Sequence, residues 1–396
     1  MKLSTILSAC VLTCSVAAAE AATPFDEAVA EILANNPTLA TTRARLLGGV
    51  EQTLGENTLE APEVEFSRVW GADEVGNKWS LSVSQSFDWP GVYSARRSAA
   101  RAQRSAAEYA IETTVMDLRL EVRNALIDII HNTQLMAVQR SLIGHMQEFA
   151  DAYRKGVERG DETRLDLNRA VIELVGCKQQ LNSLQAERAS LISALSALNG
   201  GQPVDAIVER IGDNYPIFTA VVPDSISPEV IRRRDPSYAA AEAALSAARE
   251  ARKVESRLSL PGFSIGYEHE TEMDEHFNGF SLGLTLPVWG RNHQRKAAAF
   301  EEEAARIEAE TALAVRAASL EADLDRLVAL RATLDEYEPV VNTSENTALL
   351  GKALDARQIS FTTYLQDMNY FIEANKAYLD TLYEYNRTLS SLKRYE

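Results

Sequence analysis

The sequence predicts a mainly α-helical chain that also carries a pair of membrane β-hairpins. Three observations predict it: a long internal repeat, proline-free stretches with coiled-coil seams, and short segments that alternate apolar and polar residues. Asn36-Pro37 is answered by Asp235-Pro236, and Pro62 by Pro261, with the prolines 25 positions apart in both copies. A period near 199 residues is far too long for a solenoid repeat. It marks a duplicated helix–hairpin–helix unit, over 23–200 and 226–396, joined by a linker at 201–225.

Residues 1–22 have the pattern of an export signal. Lys2 supplies the charge, Leu3 to Val16 the apolar run, and Ala17-Ala18-Ala19 the small-residue cleavage site. Leu7-Ser8-Ala9-Cys10 resembles a lipoprotein processing site, although only nine residues precede the cysteine, so lipidation stays open. Past the signal no apolar run reaches 18 residues, which predicts no transmembrane helix. Only Cys177 remains there, which leaves neither an intramolecular disulfide nor a cysteine metal cluster. With a net charge of −17 and no basic stripe in the sequence, a nucleic-acid partner is not expected.

Helices follow from seam spacing. From Gly91 to about Gly160 no proline interrupts, and Val115, Leu118, Val122, Ala125 and Ile129 step by three and four. Its partner, 161–198, repeats this through Leu167, Ala170, Leu174, Cys177, Leu181 and Leu184, with Arg188 the polar interruption; Cys177 reads as a small core residue. The second copy is expected to run as one helix over 291–356 and another over 360–393, with Phe371, Asn375, Tyr378, Leu382, Tyr385, Leu389 and Leu392 on its seam. A helix near 68 residues spans about 100 Å. The shorter helices, 37–59 and 161–198, stacked end to end, match that length. A rod this long suits a structure that bridges a distance.

Strands follow from alternation. Trp79, Leu81, Val83, Gln85, Phe87 and Trp89 fall on one face of 78–89, and Ser80, Ser82, Ser84, Ser86 and Asp88 on the other. Val64 and Phe66 give the facing strand its apolar side. In the second copy Phe263, Ile265 and Tyr267 oppose Ser264, Gly266 and Glu268; Phe280, Leu282, Leu284 and Leu286 oppose Ser281, Gly283 and Thr285. Strand length and pattern are those of a transmembrane barrel. Leu81, Val83, Leu282 and Leu284 are expected to face lipid, and Ser82, Ser84 and Ser281 a lumen. Trp79 and Trp89, ten residues apart, would mark the two aromatic girdles. Four strands cannot close a barrel, so chains must pool them: two copies give eight, three give twelve.

Two Gly-x-Ser-x-Gly segments, at 262–266 and 279–283, imitate a hydrolase nucleophile. Both lie in alternating strands and not on the strand-to-helix turn which that chemistry needs. Glu268 to His276, with two histidines among carboxylates, is the only metal-like cluster and reads as a solvated loop. No catalytic, cofactor or metal site is expected, and no enzyme.

The chain resembles the TolC-type outer-membrane efflux proteins, in particular the short branch serving cobalt–zinc–cadmium (heavy-metal) exporters. The resemblance rests on Phe25-Asp26-Glu27-Ala28-Val29 with Asn35-Asn36-Pro37-Thr38-Leu39-Ala40, and on Ser84-Gln85-Ser86-Phe87 with Gly91. It rests further on 160–167 and on the ending 377–385. It implies a homotrimer, with a twelve-stranded barrel in the outer membrane of a Gram-negative bacterium and a helical tunnel in the periplasm. It also implies docking onto an inner-membrane pump through a periplasmic adaptor. Asp166 matches an acidic pore-constricting position; Thr363 and Gln366 stand where acids are common, which implies an incomplete acidic gate. Gly160, Thr163 and Ser360 fall in the turns that would touch the adaptor, where Arg357 replaces the usual glycine. The expected function is a passive exit duct of a tripartite efflux system for metal ions. A type I secretion duct and a soluble periplasmic coiled-coil scaffold are the competing readings.

Overall fold

The computed structural model describes residues 23–71, 77–216, 235–272, 275–287, 289–339, 341, 343–356 and 358–393. The expected export signal lies outside them, as do residues 217–225 of the expected linker. The first repeat runs α1 (Pro24–Asn35), α2 (Pro37–Gly55), β1 (Glu63–Trp70), β2 (Asn77–Phe87), α3 (Pro90–Arg159) and α4 (Arg164–Leu198). After α5 (Asp205–Ile211) the second runs α6 (Pro236–Arg257), β3 (Gly262–Glu272), β4 (Glu275–Thr285), α7 (Arg291–Tyr337), α8 (Thr343–Asp355) and α9 (Phe361–Leu392).

The repeated Asn-Pro and Asp-Pro pairs are helix starts. Asn36 Oδ1 accepts the backbone N–H groups of Thr38 (2.9 Å) and Leu39 (3.2 Å), and Asp235 Oδ1 accepts that of Ser237 (2.8 Å). The proline that follows needs no partner at the first helical position. Asn36 also ties α2 to the far end of α4, donating through Nδ2 to Leu198 O (2.9 Å), while Asn35 Nδ2 reaches Asn199 Oδ1 (3.0 Å). The expected end-to-end stacking therefore occurs in the first repeat. In the second, α7 receives both ends: Arg316 Nε lies 3.4 Å from Asp235 before α6, and Ser391 of α9 donates to Asp323 (2.8 Å).

The helices form a wall of four columns. α2 and α4 both pack on α3; α6 and α9 both pack between α3 and α7. The columns follow the order of the sheet, β1-β2-β3-β4, because each strand adjoins its own helix. α3 is 70 residues long, about 105 Å. The core at its middle gathers Phe25 and Ile32 of α1, Leu126 and Ile130 of α3, Leu195 of α4 and Ile207 of α5. Here too the repeats are fastened: the Tyr383 hydroxyl donates to Asp128 (2.8 Å), and His131 Nε2 lies 3.1 Å from Asp380. Burial lowers the His131 pKa, against the nearby carboxylates of Asp380, Glu187 and Asp128.

Four expectations are corrected. The helix expected over 291–356 is two, since Pro339 lacks an N–H and its ring clashes with the preceding turn, ending α7 at Tyr337. In α9 the buried stripe begins at Tyr364, Met368 and Ile372 and passes through Leu379, one position off the expected seam, and rejoins that seam at Leu389 and Leu392, which are buried as expected. That helix meets α3, α7 and α8 at once, so a single seam cannot serve all of them. The expected linker begins with helix α5, because Val204, Ile207 and Val208 bury against α1. α2 stops at Gly55 and not near 59. The α4 seam holds: Ala170, Leu174, Leu184 and Leu195 are buried. Cys177 is half-buried beside them, and burial pushes its thiol pKa up. Arg188 leaves the seam to donate to Thr133 Oγ1 (2.6 Å).

Candidate functional site

The four strands make one antiparallel sheet whose two faces differ in chemistry. The register sets Leu81 opposite Phe66, Val83 opposite Val64 and Tyr267, Ile265 opposite Leu282, and Phe263 opposite Leu284. Directly opposed residues share a face, so the four expected lipid-facing side chains stand together. Aromatic pairs lock this face across strands: Phe87 stacks on Phe263 (5.4 Å between centroids) and Tyr267 meets Phe280 edge-on (5.6 Å). Among the described residues no other element covers it. Leu81 in a central strand is 39% exposed, and Leu282 in edge strand β4 is 83% exposed.

Ser82, Ser84 and Ser281 stand on the opposite face. There Ser84 opposes Gly266, Gly266 opposes Ser281, and Ser264 opposes Gly283. A Cβ added at Gly266 would come within 2.6 Å of Ser281 Oγ, so each serine fills the notch left by the facing glycine. This packing accounts for both Gly-x-Ser-x-Gly segments. The same face presents Glu63, Glu65, Glu268, Glu270, Glu272 and Glu275 against one cation, Lys78, which pairs with Glu270.

Two readings change. Among the described residues the mixed histidine–carboxylate cluster is split, because alternation sends Glu268, Glu270, Glu272 and Glu275 to the polar face and both histidines to the apolar one. His269 and His276 stack there (5.7 Å), and His269 Nδ1 lies 2.8 Å from Asn278 Oδ1, which also accepts from Tyr267 (2.7 Å). Met273 and Asp274 lie outside the described residues. Trp89 is not on a strand: β2 ends at Phe87, and Trp89 is the extended residue that precedes Pro90 at the start of α3.

About 100 Å away, the other end is built from two matching turns. Gly160 ends α3 with φ +80°, a conformation that favours glycine. Its N–H donates to Val157 O (3.1 Å) and that of Asp161 to Gly156 O (2.9 Å). Thr163 caps α4: its Oγ1 accepts the N–H of Asp166 (3.2 Å), and its hydroxyl donates to Asp166 Oδ2 (2.5 Å). Ser360 caps α9 in the same way, accepting the N–H of Thr363 (3.1 Å). Arg357 lies outside the described residues.

One core joins these turns, with Met146 and Ala150 of α3, Leu174 of α4 and Tyr364 and Met368 of α9. Asp166, Thr363 and Gln366 therefore sit at the same end of the wall. Asp166 is half-buried, with Arg169 3.7 Å away, and Thr363 and Gln366 are exposed. Burial, with Glu162 and Asp166 nearby, pushes the Tyr153 hydroxyl up to about 12. Two polar side chains that sequence reasoning passed over stitch the α3–α4 seam. Asn132 Nδ2 donates to Leu184 O (3.1 Å) and Gln139 Nε2 to Cys177 O (3.0 Å). Their signal was a polar residue on an apolar stripe.

Among the described residues no group of His, Cys, Asp and Glu could hold a metal ion, and no helix is long and apolar enough to cross a membrane.

Residues 28–201 match the family model described as outer membrane efflux protein. The fold matches solved structures along 94% of the chain. A membrane protein from Pseudomonas aeruginosa superposes with a TM-score of 0.79 at 17% identity, over 93% of its own chain. The CmeC outer membrane channel of Campylobacter jejuni gives 0.77 at 16% identity over 85% of its chain. The MtrE outer membrane channel of Neisseria gonorrhoeae, in its open state, gives 0.73 at 17% over 88%. No curated protein sequence matches the chain. At such identities the likeness establishes a fold shared with outer-membrane channels.

Proposed function

We propose that this chain is an outer membrane efflux protein, a channel subunit and not an enzyme, three copies of which form the exit duct of a tripartite efflux system. One observation carries the reading: sheet and helical wall end on the same two open edges. β1 with the α2–α4 column forms one edge, and β4 with α7 the other. An open four-stranded sheet with an uncovered apolar face is unstable in water and cannot close on itself. Three copies joined edge to edge supply twelve strands. Large apolar side chains exposed on the outer columns, Ile172 and Val175 of α4 and Phe300 and Val328 of α7, are available to bury between copies.

In this arrangement Leu81, Val83, Leu282 and Leu284 meet the lipid of a Gram-negative outer membrane, and Ser82, Ser84 and Ser281 line the lumen. The helical wall stands in the periplasm. The turns at Gly160, Thr163 and Ser360 meet a periplasmic adaptor that links the duct to an inner-membrane pump, and Asp166, with Thr363 and Gln366 nearby, rings the mouth. Metal ions are the proposed cargo, as in the heavy-metal branch the sequence resembles. The support is charge: a polar face with six carboxylates and one lysine favours cations.

Detergent extraction of membranes should release a particle of about three chain masses, and metal sensitivity should rise when the gene is deleted. Protein that is soluble without detergent, or monomeric in it, would overturn the duct. A deletion strain with unchanged metal tolerance would overturn the cargo alone.

A further inference from the structure

Three short basic runs, far apart in the sequence, meet where the helices join the sheet. Segments 88–104, 249–257 and 291–302 hold eleven Lys and Arg against five Asp and Glu, in a chain of net charge −17. Arg257 Nη1 donates to Gly91 O (2.7 Å) and to Ser94 Oγ (3.1 Å), tying the end of α6 to the start of α3. Arg291 lies 3.5 Å from Glu255, tying the start of α7 to α6. Between α6 and α7 an open cavity of about 380 Å³ is lined by Arg249, Arg252, Lys253, Ser256 and Arg257, with Glu302 its one carboxylate. Glu302 takes up part of that charge, 2.9 Å from Arg252 and 3.6 Å from Arg249, and Lys253 pairs with Glu250 (2.6 Å). Among the described residues Arg257 bonds to a carbonyl and a hydroxyl and to no carboxylate.

Depth gives the cluster a partner. Trp89 and Trp289, 46% and 90% exposed, stand where the strands pass into helices, the level of an aromatic belt. Arg257 is level with Gly91, within a turn of Trp89. At 1.5 Å per residue, Lys253, Arg252 and Arg249 follow over the next 6–12 Å or so. The headgroup layer beyond the hydrocarbon is roughly 5–7 Å deep. The cations thus span the headgroup layer and its aqueous margin. Arginine forks match phosphate oxygens in geometry as well as charge.

We propose that this basic collar binds the phosphate of anionic phospholipid headgroups in the leaflet that faces the helical wall, with the α6–α7 cavity as its main seat. The inference rests on the membrane reading of the sheet. The test uses the full-length trimer in nanodiscs that contain phosphatidylglycerol and phosphatidylcholine in equal amounts, and measures the lipid retained by the purified particle. The wild type should retain phosphatidylglycerol over phosphatidylcholine by roughly tenfold, a preference that falls with added salt. Arg249→Gln with Arg252→Gln and Lys253→Gln should abolish the preference and leave the trimer membrane-integral. Arg249→Lys with Arg252→Lys should keep most of it. Should the triple variant fail to assemble, the salt dependence of the wild type decides. An integral trimer with no lipid preference overturns this proposal alone, as does displacement of the lipid by millimolar inorganic phosphate, which would assign the site to free phosphate. Protein that leaves the membrane fraction altogether overturns the duct reading first.

Discussion

The sheet and the helical mouth, about 100 Å apart, treat the same duplication in opposite ways. Through the middle of the sheet the two copies follow one pattern, mostly apolar side chains on one face and small or acidic ones on the other, with Ser84, Gly266 and Ser281 side by side across three strands. At the mouth the copies have diverged. Both keep a hydroxyl cap, Thr163 and Ser360, but three residues on one has Asp166 and the other Thr363. The first long helix is unbroken, whereas its counterpart stops before Pro339. The difference teaches where symmetry is physically required. In the proposed duct every strand stands between lipid and water and meets the same two media, so neither copy can drift. A mouth needs only some charge at some radius, and one copy can supply it.

The strongest test of this contrast is in the sheet. Leu282→Arg should cost assembly about 2–4 kcal/mol at mid-depth, while Ser281→Arg should leave the trimer intact and alter conductance. Thermal dissociation of the trimer and single-channel recording read the two effects. Equal tolerance at both positions would erase the distinction between the faces.

At the mouth the expected changes are smaller. Thr163→Ala and Ser360→Ala should each lose about 1 kcal/mol of local stability, seen as faster amide exchange in the first turn of α4 or α9 with the sheet unaffected. Exchange that is unchanged in both variants would mean the shared hydroxyl caps are not what the two copies have in common. Asp166→Asn should have the smallest effect on stability, about half a kcal/mol from the helix dipole. Its signature is functional: weaker divalent-cation block and weaker cation preference, with assembly preserved. If conductance, selectivity and block all stay unchanged, Asp166 is a helix-start residue only, and the charge asymmetry between the copies has no role in the pore.

Much was legible in the sequence because it depends on period alone. Alternation fixed the faces of β2, β3 and β4 before any pairing was known, since successive side chains on a strand must point opposite ways. Steps of three and four fixed the α4 seam, and Asn36-Pro37 with Asp235-Pro236 located two helix starts, because capping is local chemistry. Other features failed for the opposite reason. The α9 stripe is set by three different neighbours, α5 is held by α1 from far away in the sequence, and the histidines and carboxylates of 268–276 look like one cluster until the sheet separates them.

The basic collar shows the division most clearly. Read along the chain, Arg96, Arg252 and Arg291 belong to three unremarkable runs in an acidic protein, and no basic stripe can be seen. Charge adds up through space. Only the packing of α3, α6 and α7 sets those runs side by side, while the alternation that builds the sheet was already complete in its own few residues.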